Sequence, residues 1–159
     1  MPLAASFRGN RMSGVGWGPA SPILRVRDLG SSLDYYVQTL GFHVDWRTPT
    51  IASVSRDRCC VFLCAGDQSA PRAWLWLGVP DVRSLHEELR AKGAIVRHEP
   101  TNFEWALEMQ IADPDGNVLR MGSEPDGDAR SSEFLDASGR LWKRTGSGES
   151  PRSEAPPPG

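Results

Sequence analysis

Hydrophobic and polar positions alternate most strictly in R-A-W-L-W-L-G-V, residues 72–79. Trp74 and Trp76 share one face of the predicted strand and the intervening aliphatic residues share the other, because successive side chains of a strand point to opposite sides. The following segment, P-D-V-R-S-L-H-E-E-L-R-A-K-G, has the apolar spacing of a helix that would cover the aliphatic face. The pattern leaves open whether the tryptophan face is packed core or a pocket for a flat ligand.

The rest of the pattern predicts a strand, a helix and three strands, and then the same order again. Alternation predicts the strands, and apolar residues at i, i+3, i+4 and i+7 predict the helices. D-P-D-G-N at 113–117 predicts a tight turn between the last two strands. The predicted strands are Pro22–Arg27, Phe42–Arg47, Ile51–Arg56, Cys59–Ala65, Ala73–Val79, Ile95–Arg97, Glu108–Ala112 and Asn117–Met121, and the predicted helices are capped by Asp28 and Asp81 and end at Gly41 and Gly93.

Two segments of the chain are related as an internal repeat. R-V-R-D-L-G-S-S-L-D-Y-Y-V-Q-T-L-G-F-H-V aligns with L-G-V-P-D-V-R-S-L-H-E-E-L-R-A-K-G-A-I-V, so that Asp28 matches Asp81 and the two helix-ending glycines match each other. Each repeat is a βαβββ module, at about 20–67 and 72–123. Because one module leaves a sheet face uncovered, we expect an α+β fold in which two tandem modules form a cup-shaped mixed sheet with the helices outside.

The two ends of the chain differ in composition from its middle. Residues 1–19 are rich in Gly, Ser and Arg and lack periodicity, which predicts a flexible arm. Residues 124–159 form a polar tail in which a hairpin is expected over 133–144. The folded domain is therefore predicted to span residues 20–123.

Composition and charge argue against several classes of function. The 159-residue chain has a formal net charge of -2, which does not favour nucleic acid or an anionic membrane surface as a partner. No apolar run is long enough to span a bilayer, and no secretory signal is expected over residues 1–20. Three cysteines, including the adjacent Cys59 and Cys60, are typical of reduced thiols in a cytoplasmic protein. The motifs of nucleophilic hydrolysis, phosphoryl transfer and nicotinamide binding are absent.

The tandem modules, the glycine that ends each helix and the closing D-P-D-G-N resemble the vicinal oxygen chelate superfamily, which contains glyoxalase I, bleomycin resistance proteins and extradiol dioxygenases. The resemblance covers about residues 20–123. The segments P-I-L-R-V-R-D-L, Y-Y, L-G-F and A-W-L-W-L are most similar to the bleomycin-resistance-like branch. The resemblance implies a homodimer, in which a cup is often completed by both chains and modules are commonly exchanged.

Metal enzymes of this superfamily hold a divalent ion with four inward-facing side chains on the first and last strands of each half. The resemblance places those positions here at Ser21, Phe62, Trp74 and Arg120. None supplies the His nitrogen or carboxylate oxygen that such an ion needs. A shift of one residue in register does not supply a ligand either, since it brings in Pro22, Val61, Leu75 and Leu119. We therefore expect no metal, no other cofactor and no catalytic residue.

Aromatic side chains occupy the predicted cup instead. Members of the resistance branch bind their drug without altering it, at two clefts of a homodimer. We therefore predict a metal-independent protein that sequesters a small aromatic or glycopeptide-like molecule by stacking, with carboxylates that attract a cationic tail of the ligand. The residues expected at the ligand site are Trp46, Phe62, Trp74, Trp76, Phe103, Glu104, Trp105, Glu108 and Arg120.

Several of these residues also have a packing interpretation. The two strand tryptophans would then be core, and Phe103 with Trp105 would anchor a loop or form a dimer contact. Two roles are open to Arg120, an ion pair with Glu108 on the adjacent strand and ligand binding, and the ion pair is favoured. Two other functions compete with sequestration. One is a metal-dependent lyase or dioxygenase of the same superfamily, and the other is a small-molecule sensor or subunit whose tail, 124–159, contacts a partner.

Overall fold

Two four-stranded mixed sheets form the domain in the computed structural model, which describes residues 19–127 and the backbone of three short strands in the tail. The sheets have the same order, β1-β4-β3-β2 and β5-β8-β7-β6, and the first pair of each sheet is parallel. This confirms the tandem βαβββ architecture. The elements are β1 Ile23–Arg25, α1 Leu29–Asp34 with a π-helical turn Tyr35–Thr39, β2 His43–Arg47, β3 Ile51–Arg56, β4 Cys59–Cys64, β5 Trp74–Gly78, α2 Val82–Ala91, β6 Ile95–Asn102, β7 Leu107–Ala112 and β8 Val118–Ser123.

Local signals set the ends of both helices as predicted. The Asp28 carboxylate accepts a hydrogen bond from the Ser31 amide, and Asp81 accepts hydrogen bonds from the amides of the first turn of α2. The bond from the Ser31 amide lowers the pKa of Asp28, and bonds from the Ser84 hydroxyl and then the Ser84 amide lower the pKa of Asp81. Gly41 and Gly93 follow the helices with φ of +74° and +79°, a left-handed conformation that favours glycine.

Each sheet has an aliphatic face, and the two aliphatic faces share one hydrophobic core. Leu24, Val61 and Leu63 of the first sheet are completely buried, as are Ile111 and Leu119 of the second sheet. All belong to a single cluster that also contains buried residues of α1 and α2. The opposite face of each sheet, which carries the aromatic residues of the predicted site, is therefore turned away from this core.

The turn at 113–117 fastens the two modules together. The Asn117 side chain is fully buried, donates to the Arg25 carbonyl of β1 at 3.0 Å and accepts from the Ala73 amide beside β5 at 3.0 Å. The Asp113 carboxylate accepts from the Asn117 side chain at 2.7 Å and from the Tyr36 hydroxyl at 3.1 Å. Burial raises the pKa of Asp113, and burial beside Asp113 raises the pKa of Tyr36 well above its usual range. The sequence predicts only a tight turn at 113–117, but Asp113 and Asn117 are buried there and Asn117 joins the two modules.

One strand, β6, is much longer than predicted. β6 continues to Asn102, although the sequence analysis ended it at Arg97 before Glu99-Pro100. Proline is tolerated here because β6 is at the edge of its sheet, where a missing amide hydrogen bond costs little. Two register irregularities, between Val96 and His98 and between His98 and Thr101, accommodate the remaining mismatch with β7.

The tail contains a separate antiparallel sheet in the order β11-β10-β9. β9 Glu133–Leu135 pairs with β10 Leu141–Thr145 in the region of the predicted hairpin, and β11 Gly148–Pro151 is a strand that the sequence analysis did not predict. The connection at 136–140 and residues 1–18 of the predicted arm over 1–19 lie outside the described residues. No helix in the described part of the chain is long and apolar enough to cross a membrane.

Candidate functional site

The face of the second sheet that is turned away from the core carries both strand tryptophans, and we call it the tryptophan face. Trp76 pairs in register with Arg120, and Trp74 pairs with Val118. Trp76 is 51% exposed, whereas Trp74 is half-buried. The core interpretation therefore does not hold for Trp76, whose indole is the most exposed large hydrophobic side chain in the described part of the chain.

Glycine on the neighbouring strand provides the space for the Trp76 indole. A Cβ atom at Gly122 would lie 2.5 Å from two carbons of the Trp76 ring, a distance that real Cβ atoms essentially never show. The Arg120 guanidinium lies over the same ring, 5.3 Å from its centroid, which is within the range of a cation–π interaction. The indole thus packs against Gly122 of β8, with about half of its surface open to solvent.

Arg120 also forms a bidentate ion pair with Glu108 of β7. The guanidinium donates to the two carboxylate oxygens at 2.6 Å and 2.8 Å. Glu108 is buried, and the Trp105 indole N–H also donates to it at 3.3 Å. The hydrogen bonds that the Arg120 guanidinium donates to Glu108 raise the pKa of Arg120. The predicted ion pair is therefore present, but it is more buried than a pair across the surface of a sheet would be.

Phe103 and Trp105 stack on each other at the end of β6. Their ring centroids are 4.7 Å apart with an interplanar angle of 4°, and His98 stacks on the other side of Phe103. Phe103 is buried and anchors this segment, whereas Trp105 is 36% exposed. Glu104 between them is exposed. Burial lowers the pKa of His98, so this imidazole favours its neutral form.

The remaining two aromatic residues of the predicted site lie on the first sheet. Trp46 and Phe62 contact each other with centroids 5.4 Å apart and an interplanar angle of 60°. Phe62 pairs in register with Ile23 of β1 and Ser53 of β3. Each sheet thus carries its own aromatic group, and within the described residues no ladder of backbone hydrogen bonds joins the two sheets.

A polar network beside Trp46 was missed in the sequence analysis. Asp45 accepts from the hydroxyls of Ser53 at 2.8 Å and Ser55 at 2.6 Å. The Ser55 hydroxyl also bonds to His43 at 2.9 Å, and Ser53 lies 3.4 Å from the Cys60 sulfur. The alternating S-V-S of β3 is the signal that places both serines on one face.

The four positions that the resemblance equates with metal ligands lie on or just before strands of the two sheets. Ser21 precedes β1, Phe62 is on β4, Trp74 is on β5 and Arg120 is on β8. Among the residues that the structure describes, no group of three His, Cys, Asp or Glu side chains is arranged to hold a metal ion. The chemistry available on the tryptophan face is stacking, cation–π contact and hydrogen bonding.

Comparison with known proteins gives a family and a set of similar folds. The sequence matches the model of the glyoxalase/bleomycin resistance protein/dioxygenase superfamily over residues 18–121. No curated protein sequence matches the chain.

Three solved structures illustrate the similarity of fold. The bleomycin resistance determinant encoded on the transposon Tn5 is 22% identical with a TM-score of 0.60, covering 68% of this chain and 98% of that chain. An antibiotic-binding protein from Streptomyces sp. CB03234 is 24% identical with a TM-score of 0.59, covering 71% and 100%. The bleomycin-binding protein from Streptomyces verticillus, complexed with copper(II)-bleomycin, is 23% identical with a TM-score of 0.56, covering 71% and 100%. At these sequence identities the similarity shows a shared fold and nothing more.

Proposed function

Because the chain belongs to the glyoxalase/bleomycin resistance protein/dioxygenase superfamily, we propose that it binds and sequesters a small aromatic or glycopeptide-like molecule without altering it. The observation that carries this proposal is the half-exposed Trp76 indole, which packs against Gly122. The exposed indole offers a planar ligand ring a large, rigid surface to stack on. The neighbouring Arg120 compensates the buried charge of Glu108.

The binding mode that we propose is independent of a metal. The positions that carry metal ligands in the enzymes of the superfamily hold a serine, two aromatic residues and an arginine, and none of these is a good ligand for a divalent ion. Ring stacking on the tryptophan face, with Trp105 at its border, would replace metal coordination. Metal analysis of protein purified without chelator tests this part, since a stoichiometric transition metal would contradict it.

We also propose that the protein works as a homodimer. β1 and β5 are edge strands of two separate sheets, and both aromatic faces are turned away from the shared core of the chain. A second copy would cover these faces and complete a cup between the aromatic group of one sheet and that of the other. Sedimentation equilibrium is expected to give the mass of two chains, and a monomer at micromolar concentration would contradict the proposal. The three free cysteines are consistent with a cytoplasmic location, which is part of the same proposal.

Two variants test whether Trp76 is the stacking surface. Trp76→Ala is expected to weaken the binding of bleomycin by about 1–3 kcal/mol, the range observed when an aromatic stacking partner is removed. Gly122→Ala keeps the indole but adds a methyl group where the Trp76 ring packs on β8. Because the ring must then move, we expect this variant to bind bleomycin more weakly as well. Affinities are measured by the quenching of tryptophan fluorescence, and the folded state is verified by circular dichroism.

The matched control is Val44→Ala. Val44 is another exposed apolar side chain, but it lies on β2 at the far edge of the first sheet. Its truncation is expected to leave the affinity unchanged. Equal affinities for Trp76→Ala and the unmodified protein would contradict the assignment of Trp76.

A further inference from the structure

One row of side chains crosses all four strands of the second sheet on the tryptophan face. His98 of β6 pairs in register with Gln110 of β7. Gln110 pairs with Arg120 of β8, which pairs with Trp76 of β5. Residues that pair in register on adjacent strands project to the same face of a sheet. The row therefore leads from the exposed Trp76 indole to a polar pair, Gln110 and His98, two and three strands away.

Each member of this polar pair has a buried atom that makes no hydrogen bond with the described part of the chain. The two atoms are the side-chain oxygen Oε1 of Gln110 and the imidazole nitrogen Nδ1 of His98. Gln110 as a whole is only 4% exposed. A buried polar atom without a hydrogen bond lowers the stability of a protein, so native structures contain few of them. Two such atoms on paired residues indicate a place where a polar group is still to be bound.

The groups around the polar pair are already engaged with one another. The Glu108 carboxylate accepts from the Arg120 guanidinium and from the Trp105 indole N–H. The His98 ring stacks on Phe103, with centroids 5.9 Å apart and an interplanar angle of 19°. Because burial lowers the pKa of His98, its imidazole favours the neutral form, which has one N–H donor and one acceptor. The pair is therefore suited to a neutral group that both donates and accepts hydrogen bonds.

We infer that Gln110 and His98 form a polar subsite that binds a primary carboxamide of the ligand. An amide N–H of that group donates to Gln110 Oε1, and its carbonyl accepts from the His98 Nδ1–H. Because Oε1 is buried in the free protein, neighbouring side chains must move aside when the carboxamide enters. Neither residue is among those that the sequence predicted for the ligand site.

This inference rests on the proposed function, because the ring of the ligand must stack on Trp76 while its carboxamide reaches Gln110 across β8. Neighbouring strands lie about 4.8 Å apart, so the two contacts are separated by about 10 Å. Two fused aromatic rings that carry a carboxamide have this span. The ligand class is thereby narrowed to aromatic carboxamides.

The binding test compares two neutral probes that have the same ring. The probes are 2-naphthamide and methyl 2-naphthoate, which keeps the carbonyl but has no N–H. Isothermal titration calorimetry is expected to show the amide binding about tenfold more tightly, the scale of one hydrogen bond to a buried acceptor. Gln110→Met is expected to abolish this preference without changing the affinity for the ester. His98→Phe keeps a ring to stack on Phe103 and is expected to reduce the preference.

The stability of Gln110→Met separates a ligand subsite from a structural role. If Oε1 has no partner in the free protein, an apolar side chain of similar length removes an unfavourable burial, and the Tm of the free protein is expected to stay the same or to rise. A fall in Tm would mean that the amide is hydrogen-bonded in the free protein, for example to a buried water, and would overturn the subsite. Differential scanning calorimetry without ligand measures this change.

Gln38→Met provides the matched control. Gln38 is an exposed glutamine in the π-helical turn of the first module, so the same substitution there is expected to keep the tenfold preference for the amide. Equal affinity of the unmodified protein for the two probes would overturn the subsite and leave ring stacking on Trp76 intact. If neither probe bound at millimolar concentration, the subsite would also be overturned, whereas the proposed function would be decided by the bleomycin titration alone. A loss of the preference in Gln38→Met as large as that in Gln110→Met would likewise overturn the subsite.

Discussion

Replacing Arg120 by leucine is expected to lower the free energy of unfolding by about 2–4 kcal/mol. The substitution would leave the buried Glu108 carboxylate without its bidentate partner, and an uncompensated buried charge is strongly destabilising. The range is set below that of a fully buried pair because the Arg120 side chain is 35% exposed and water screens part of the interaction. Urea unfolding followed by circular dichroism measures the change.

The double variant Arg120→Leu with Glu108→Leu distinguishes the unpaired charge from a loss of packing. Removing both charges is expected to restore most of the stability, since apolar residues of similar volume replace buried ion pairs at little cost. If the single variant lost less than about 1 kcal/mol, the pair would behave like an exposed surface ion pair instead.

Asn117→Ala is expected to destabilise the protein by about 3 kcal/mol. The variant removes side-chain hydrogen bonds to the Arg25 carbonyl, the Ala73 amide and the Asp113 carboxylate. The bond to Asp113 is buried and the other two are partly buried. An unsatisfied polar group in such a place costs about 1–3 kcal/mol. Because β1 and β5 are joined here, the loss should appear as one cooperative shift of the urea midpoint with an unchanged slope.

Asn102→Ala is the control for this prediction. Asn102 also makes hydrogen bonds to a distant segment, through Asp126, but at a solvent-accessible position. Its replacement is expected to lower the free energy of unfolding by much less than Asn117→Ala does. Similar losses in the two variants would mean that the 113–117 turn has no special role in joining the modules.

The fold followed from local signals that needed no knowledge of distant contacts. Alternation gave the bounds of Ile51–Arg56 as observed and separated Trp76 from the aliphatic face of β5. The two aspartate caps and the left-handed glycines define both helices, because capping depends on atoms a few residues away. The tandem repeat then predicted that both modules have the same order of elements.

The features that the sequence did not predict depend on contacts between distant residues. Gln110 and His98 are neighbours only because β6 pairs with β7, and no local pattern predicts that each keeps a buried atom without a hydrogen bond. The role of Asn117 is similar, since its partners are in β1 and beside β5. β6 continues past Pro100 because it is an edge strand, which a single strand pattern does not reveal.

The most direct test of the central claim is calorimetric titration of the protein with bleomycin. If the tryptophan face is a stacking site for this class of molecule, the titration is expected to show saturable binding at micromolar concentration, and the ligand is expected to raise the unfolding temperature. The absence of binding heat and of quenching by bleomycin at micromolar concentration would contradict a bleomycin-type ligand for the exposed Trp76 surface.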